Sequence, residues 1–108
     1  MRQLEVYVNN MKAGLLVENQ PGESYSFRYD PEYLSSDAPS ISVSLSKRKE
    51  VYESSVLFPF FANMLPEGSN RKVICRADRI DEKDLFGLLS AMAGRDFIGG
   101  VHVRLSSI

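Results

Sequence analysis

What this 108-residue chain lacks narrows it quickly. It has one cysteine, Cys75, so no disulfide can close within it and the fold cannot lean on such crosslinks. That is the cysteine usage of a cytoplasmic protein. It has one histidine, His102, and with no second His and no Cys pair a zinc site lacks ligands. No apolar run approaches the roughly 20 residues that a membrane span needs. The longest, residues 56–61, is interrupted by Pro59. The start, Met1-Arg2-Gln3-Leu4-Glu5, has no apolar core of a signal peptide. An excess of either charge is missing too. Lys and Arg total 13, Asp and Glu total 14, and the net charge is −1 at pH 7. A dedicated nucleic-acid binder draws most of its affinity from neutralised phosphates and shows a basic excess, which this chain does not. Lys47-Arg48-Lys49 is a local basic run, read as a solvated loop because polar residues surround it and Glu50 follows.

What is present suits one globular domain, residues 1–108. The hydrophobic fraction of 44% is too high for a disordered tail. A chain of this length builds one core with a radius of gyration near ~13 Å. That can hold a small active site but not the two lobes of a kinase.

Hydropathy alternates along the first half. Leu4, Val6 and Val8 alternate with Glu5 and Tyr7, the period of a half-buried strand. Asn9-Asn10 suits a tight hairpin, because Asn tolerates positive φ. Residues 12–17 form the return strand, with Gly14 a bulge position. Gln20-Pro21-Gly22-Glu23 fits a type II turn, with Pro second and Gly third. Tyr25, Phe27 and Tyr29 give a third strand with an aromatic face. Asp30-Pro31-Glu32-Tyr33-Leu34 reads as a short helical turn capped by Asp30. Ile41, Val43 and Leu45, alternating with serines, predict a fourth strand. Short links between strands favour antiparallel pairing.

After Ser54-Ser55 the period changes. Phe58, Phe61 and Leu65 predict a helix with Ser55 as its N-cap and Pro59 in its first turn. Pro66-Glu67-Gly68 ends it. A second helix runs from a Ser69 cap to about Ala77, with Val73 and Ile74 inward. A third is capped by Asp81, with Asp84 at the capping-box position, Leu85, Leu88, Leu89 and Met92 as its buried stripe and Gly94 as its C-cap. Gly99-Gly100 leads into a closing strand through Val101, Val103 and Leu105, with His102 and Arg104 facing out. The expectation is an α+β domain, a small mostly antiparallel sheet with about three helices packed on it.

Candidates for chemistry are thin. His102 reads as an exposed strand residue and Cys75 as a half-buried core thiol without an activating neighbour. Asp78, Asp81, Glu82 and Asp84 suit a helix start, where negative charge is favoured, better than acid–base or metal work. Asp84-Leu85-Phe86-Gly87 has one leucine too many for the kinase Asp-Phe-Gly motif, and neither a Gly-rich loop nor a catalytic-loop His-Arg-Asp is present. Gly94, Gly99 and Gly100 do not make a dinucleotide fingerprint. No nucleophile, base and oxyanion donor occur together, so no catalytic residue, metal or cofactor is expected. The most unusual stretch is Asn63-Met64-Leu65-Pro66-Glu67-Gly68-Ser69-Asn70-Arg71. It is a helix end, a sharp turn and a new helix start, displaying polar groups on a knuckle held at both ends.

Several motifs together resemble a known family. Phe60-Phe61-Ala62-Asn63-Met64-Leu65-Pro66-Glu67 with Arg71, Asp84-Leu85-Phe86-Gly87-Leu88-Leu89, and Gly94-Arg95-Asp96-Phe97-Ile98-Gly99-Gly100-Val101 are similar to the N-terminal subdomain of HipA-type serine/threonine kinase toxins. The strands at Tyr25-Ser26-Phe27-Arg28-Tyr29 and Ser42-Val43-Ser44-Leu45 follow the same order, and the resemblance spans nearly the whole chain. In those toxins a kinase body follows, whereas this chain stops at Ile108. It thus resembles the stand-alone HipS-type members of tripartite HipB-HipS-HipT toxin–antitoxin systems. The resemblance implies a bacterial cytoplasmic antitoxin rather than a catalyst. Its implied partners are a HipT-like kinase and a HipB-like helix-turn-helix repressor, with nucleic acid reached only through the repressor and no membrane. It implies a contact surface at Leu65, Pro66, Glu67, Gly68, Ser69, Asn70 and Arg71. That turn carries no large aromatic here, so blocking would rest on shape and backbone groups. The alternative is an N-terminal subdomain, supplied in trans or cut from a longer HipA chain, that supports kinase folding, activity or repressor docking. A small independent enzyme or nucleic-acid binder is a third possibility, opposed by the missing catalytic groups and the balanced charge.

Overall fold

The computed structural model describes residues 2–65, 68–93 and 100–105. Five strands form one sheet: β1 (Arg2–Val8), β2 (Met11–Gln20), β3 (Ser24–Tyr29), β4 (Tyr52–Ser54) and β5 (Val101–Leu105). Their order across the sheet is β4-β3-β2-β1-β5, and every pair is antiparallel. Among the described residues four α-helices accompany it: α1 (Pro31–Leu34), α2 (Pro59–Ala62), α3 (Gly68–Asp78) and α4 (Leu85–Ala91). The radius of gyration is 13.5 Å.

The first two hairpins form where the turn chemistry puts them. Asn9 takes φ 55° in the β1–β2 turn, and its N–H also donates to Gly100 O at 2.9 Å, tying that turn to the start of β5. Gly22 takes φ 71° in the next turn, where Glu23 N–H donates to Gln20 O at 3.0 Å, as a type II turn requires. The β1–β2 register slips between Val6↔Gly14 and Tyr7↔Lys12, so Ala13 is the extra residue of a bulge beside Gly14. At Gly14 an added Cβ would stand 2.3 Å from Arg28 O, which is why no side chain fits there.

Alternation along the strands builds the core. Leu4, Val6, Leu16, Phe27 and Val103 are fully buried and form one cluster with Phe61 of α2 and Phe86, Leu88 and Leu89 of α4. Phe27 meets Tyr29 edge-on at 5.0 Å and Phe61 at 5.9 Å, while Tyr29 stacks on Tyr33 of α1 at 5.8 Å. Aromatic contacts of this kind add to the apolar area removed from water.

Several local expectations are corrected. Residues 41–45 are not a strand; Ser42 and Leu45 form an isolated bridge around a turn that leaves Val43 fully exposed. The reason is serine chemistry: Ser42 Oγ accepts from Ser44 N–H at 3.3 Å, competing with a ladder. Ile41 and Leu45 are still buried, because the Tyr29 hydroxyl accepts from Ile41 N–H at 3.1 Å and donates to Leu45 O. The fourth strand is instead the three-residue β4, paired with β3.

Helix starts also move. Phe58, not Ser55, is the N-cap of α2, since Pro59 fits the first helical position and sets the start. Asp84, not Asp81, caps α4, its Oδ1 accepting from Gly87 N–H at 3.0 Å. Asp81 caps only the preceding turn, accepting from Lys83 N–H at 2.9 Å. Asp30 precedes α1 as expected but makes no side-chain cap bond. On α3, Val73 is exposed while Cys75 is buried. On β5, His102 is buried, stacked at 5.4 Å on Tyr7 across the β1–β5 pair, whereas Leu105 is exposed. The expected C-cap Gly94 and the approach through Gly99 lie outside the described residues.

Candidate functional site

The candidate surface is where α2 gives way to α3. Hydrogen bonds from Asn63, Met64 and Leu65 N–H to Pro59, Phe61 and Ala62 O close the end of α2 with a tight turn. Leu65 turns inward and is buried. Pro66 and Glu67 lie outside the described residues. Gly68 opens α3 at φ 60°, a backbone conformation that suits glycine, with nothing within 4 Å of where a Cβ would sit. Ser69 and Asn70 are exposed on the first turn, and Arg71 is half-buried. Of the seven predicted residues, the structure therefore places Leu65 in the core and Gly68, Ser69 and Asn70 together on the surface, with Arg71 between. The exposed stretch continues along α3 through Lys72, Val73, Arg76 and Ala77. Only Cys75 on this helix is fully inside.

A Schellman-type cap ends α3. Arg79 takes φ 56°, and Ile80 N–H donates to Cys75 O at 2.8 Å. The helix is then carried to α4 through residues 80–84.

An ionic cluster that the sequence reading did not single out anchors α4. Arg2 Nη1 and Nη2 donate to Asp84 Oδ2 and Oδ1 at 3.1 and 2.8 Å, and its Nε donates to Glu18 Oε1 at 2.7 Å. Glu18 is 1% exposed, and its second oxygen accepts from Gly22 N–H at 3.3 Å. The guanidinium also lies 5.2 Å from the centre of the Phe86 ring, which in turn stacks on Tyr25 at 6.4 Å. Gly87 is small for a reason: a Cβ there would be 2.2 Å from Asp84 Oδ2. Hydrogen bonds from Arg2 hold the Asp84 carboxyl below its ordinary value, against partial desolvation and with help from Gly87 N–H. Arg2 is raised by the same bond, so both stay charged at neutral pH. The signal for this cluster is present in the alternation itself, since Arg2 continues the inward series of Leu4 and Val6, and Glu18 that of Leu16.

Desolvation, then the nearby Glu82, raises the Cys75 thiol, which keeps it protonated and a poor nucleophile. Among the described residues no group of three or more His, Cys, Asp or Glu side chains could hold a metal ion. No described helix is long and apolar enough to cross a membrane. What α3 offers at its exposed start is hydroxyl, amide and backbone N–H groups.

Comparison with known proteins agrees with this architecture. The family model described as the HipA N-terminal domain matches residues 4–104. A Haemophilus influenzae protein carrying only the description "uncharacterized" is 31% identical over 104 residues, covering 96% of this chain and 92% of that protein. A solved structure, the "N-terminal domain of HipA toxin", superposes with a TM-score of 0.72 at 28% identity, over 99% of this chain and 94% of that one.

Proposed function

Since the chain belongs to the HipA N-terminal domain family, we propose that it is the regulatory, antitoxin subunit of a bacterial toxin–antitoxin system, binding and neutralising a HipT-like serine/threonine kinase in the cytoplasm. In this reading the HipS-like lobe acts from a separate polypeptide, and a HipB-like repressor completes the assembly and carries any DNA contact. The observation that carries the reading is the exposed start of α3, at Gly68, Ser69 and Asn70, on a domain of this family. Gly68, Ser69 and Asn70 present hydrogen-bonding groups at the start of an 11-residue helix rooted by Leu65 and Cys75. Polar groups carried on a helix can occupy a partner's cleft at a lower cost in conformational entropy than the same groups on an unstructured segment. The Haemophilus influenzae relative supports a free-standing role, because this domain accounts for nearly all of that protein.

The test is a phosphorylation assay of a HipA-family kinase that lacks this domain, with and without the purified chain. Added chain should lower phosphotransfer, and co-expression should relieve growth arrest. Asn70→Trp, at an exposed position, should weaken both effects while leaving the circular dichroism spectrum and melting temperature unchanged. A rise in phosphotransfer on adding the chain would reverse the sign and make it an assisting lobe. Unchanged binding by Asn70→Trp would move the interface off the knuckle.

A further inference from the structure

The basic run Lys47-Arg48-Lys49 does not behave as one solvated patch. Lys47 Nζ donates to Ser36 O and Ala38 O, each at 2.8 Å, and lies 5.3 Å from the Tyr33 ring centre. Arg48 stacks on Tyr52 at 3.6 Å and donates to Val51 O at 3.3 Å. These two side chains fasten their loop to α1 and β4. Lys49 is left over and exposed. It borders a groove of about 570 Å³ together with Arg28, Tyr29, Pro31, Leu34 and Ser35.

The groove has a divided character. Its apolar part is Pro31 and Leu34 of α1 beside the buried Tyr29. Its charged part is Arg28 and Lys49, both exposed, and neither has an ion-pair partner among the described residues. No carboxylate lines it. The walls are braced, because Pro31 starts α1, Tyr29 and Tyr33 stack, and Lys47 pins the opposite loop through backbone carbonyls. A braced apolar cleft flanked by two uncompensated cations complements an anionic chain that also carries an apolar group.

We infer that this groove, formed by the end of β3, α1 and the loop at Lys49, docks a short acidic segment of a partner protein, seating one apolar side chain against Pro31 and Leu34 and pairing carboxylates with Arg28 and Lys49. The inference stands apart from the knuckle, since it uses none of residues 65–71.

The experiment is a titration of the ¹⁵N-labelled full chain with a synthetic peptide of glutamates flanking a central leucine, followed by amide shifts. A lysine-flanked leucine peptide, an all-glutamate peptide and inorganic phosphate serve as probes of the two halves of the site. Expected are saturable shifts at Leu34, Ser35 and Lys49 with the acidic leucine peptide. The all-glutamate peptide should bind more weakly, and the lysine peptide should not bind. Arg28→Glu with Lys49→Glu should weaken binding roughly tenfold and lower its salt dependence, with the rest of the spectrum unchanged. Equal binding of the lysine peptide, or no effect of the double charge reversal, would overturn the proposal. So would equal shifts with phosphate alone, which would make this an anion site. Concentration-dependent shifts at the same residues without peptide would give the groove to a second copy of the chain and overturn it as well.

Discussion

Arg2 and Asp84 lie 82 positions apart in the sequence, yet two parallel hydrogen bonds of 2.8 and 3.1 Å join them, fork to fork. Through them the first strand holds the N-cap of α4, and the same guanidinium neutralises the buried Glu18. Removing one member of such a cluster costs more than the cluster is worth, because a buried carboxylate is left without its counter-charge. Arg2→Met should therefore destabilise by roughly 2–3 kcal/mol, less than for a wholly buried pair, since the arginine side chain is 41% exposed. Arg2→Met with Glu18→Met should recover more than half of that loss. Urea midpoints at constant slope check both.

The cluster also sets an acid limit. The Asp84 carboxyl is held below its ordinary value, so its contribution is complete above about pH 4 and is lost as pH falls through the lower folded-state value. Unfolding free energy should fall over that window. Asp84→Asn should flatten the acid slope and cost about 1 kcal/mol at neutral pH, because the amide keeps the cap but loses the charge that the part-exposed Arg2 pairs with. Denaturant titrations at neutral and acid pH, compared between the two proteins, measure it.

Tyr29→Phe removes one oxygen and leaves two backbone groups, Ile41 N–H and Leu45 O, without the partner that stitches them to the core. A cost of about 1–3 kcal/mol follows for buried groups left unpaired. Faster amide hydrogen exchange confined to residues 41–45 would distinguish this from general destabilisation.

Arg79 sits at φ 56° at the end of α3, where glycine would carry no Cβ penalty. Arg79→Gly should leave stability unchanged or raise it by up to about 1 kcal/mol, against the usual loss when glycine is introduced. A higher thermal midpoint would confirm the strained cap; a fall of similar size would show that the arginine side chain contributes more than its backbone costs.

The hairpins were legible because each carried two agreeing signals, period-two hydropathy and a turn residue suited to positive φ. Residues 41–45 misled because Ile41 and Leu45 do point inward, but around a serine-stabilised bridge instead of along a ladder. Three-residue β4 is too short to show a period at all. His102 follows strand alternation to the second face, yet pattern alone could not foresee that Tyr7, its cross-strand neighbour, would cover it. The Arg2–Glu18 pair depends on the bulge. Without the extra residue at Ala13, Arg2 would face Val17, and Glu18 would have lain on the wrong rung. Between α2 and α3 the sequence marks the break from one helix to the next, but that Leu65 faces inward and Ser69 and Asn70 outward is decided by how α3 seats on the core.

The pairing of β1 with β5 has a consequence for how the molecule is made on the ribosome. The first two hairpins join neighbours in sequence and can assemble as soon as they leave the exit tunnel. The last rung of the sheet, Leu4 against Leu105 through Val8 against Val101, must wait until the closing strand has been translated. Until then one edge of β1 stays open, and nascent chains stalled short of residue 101 would present it to any strand nearby.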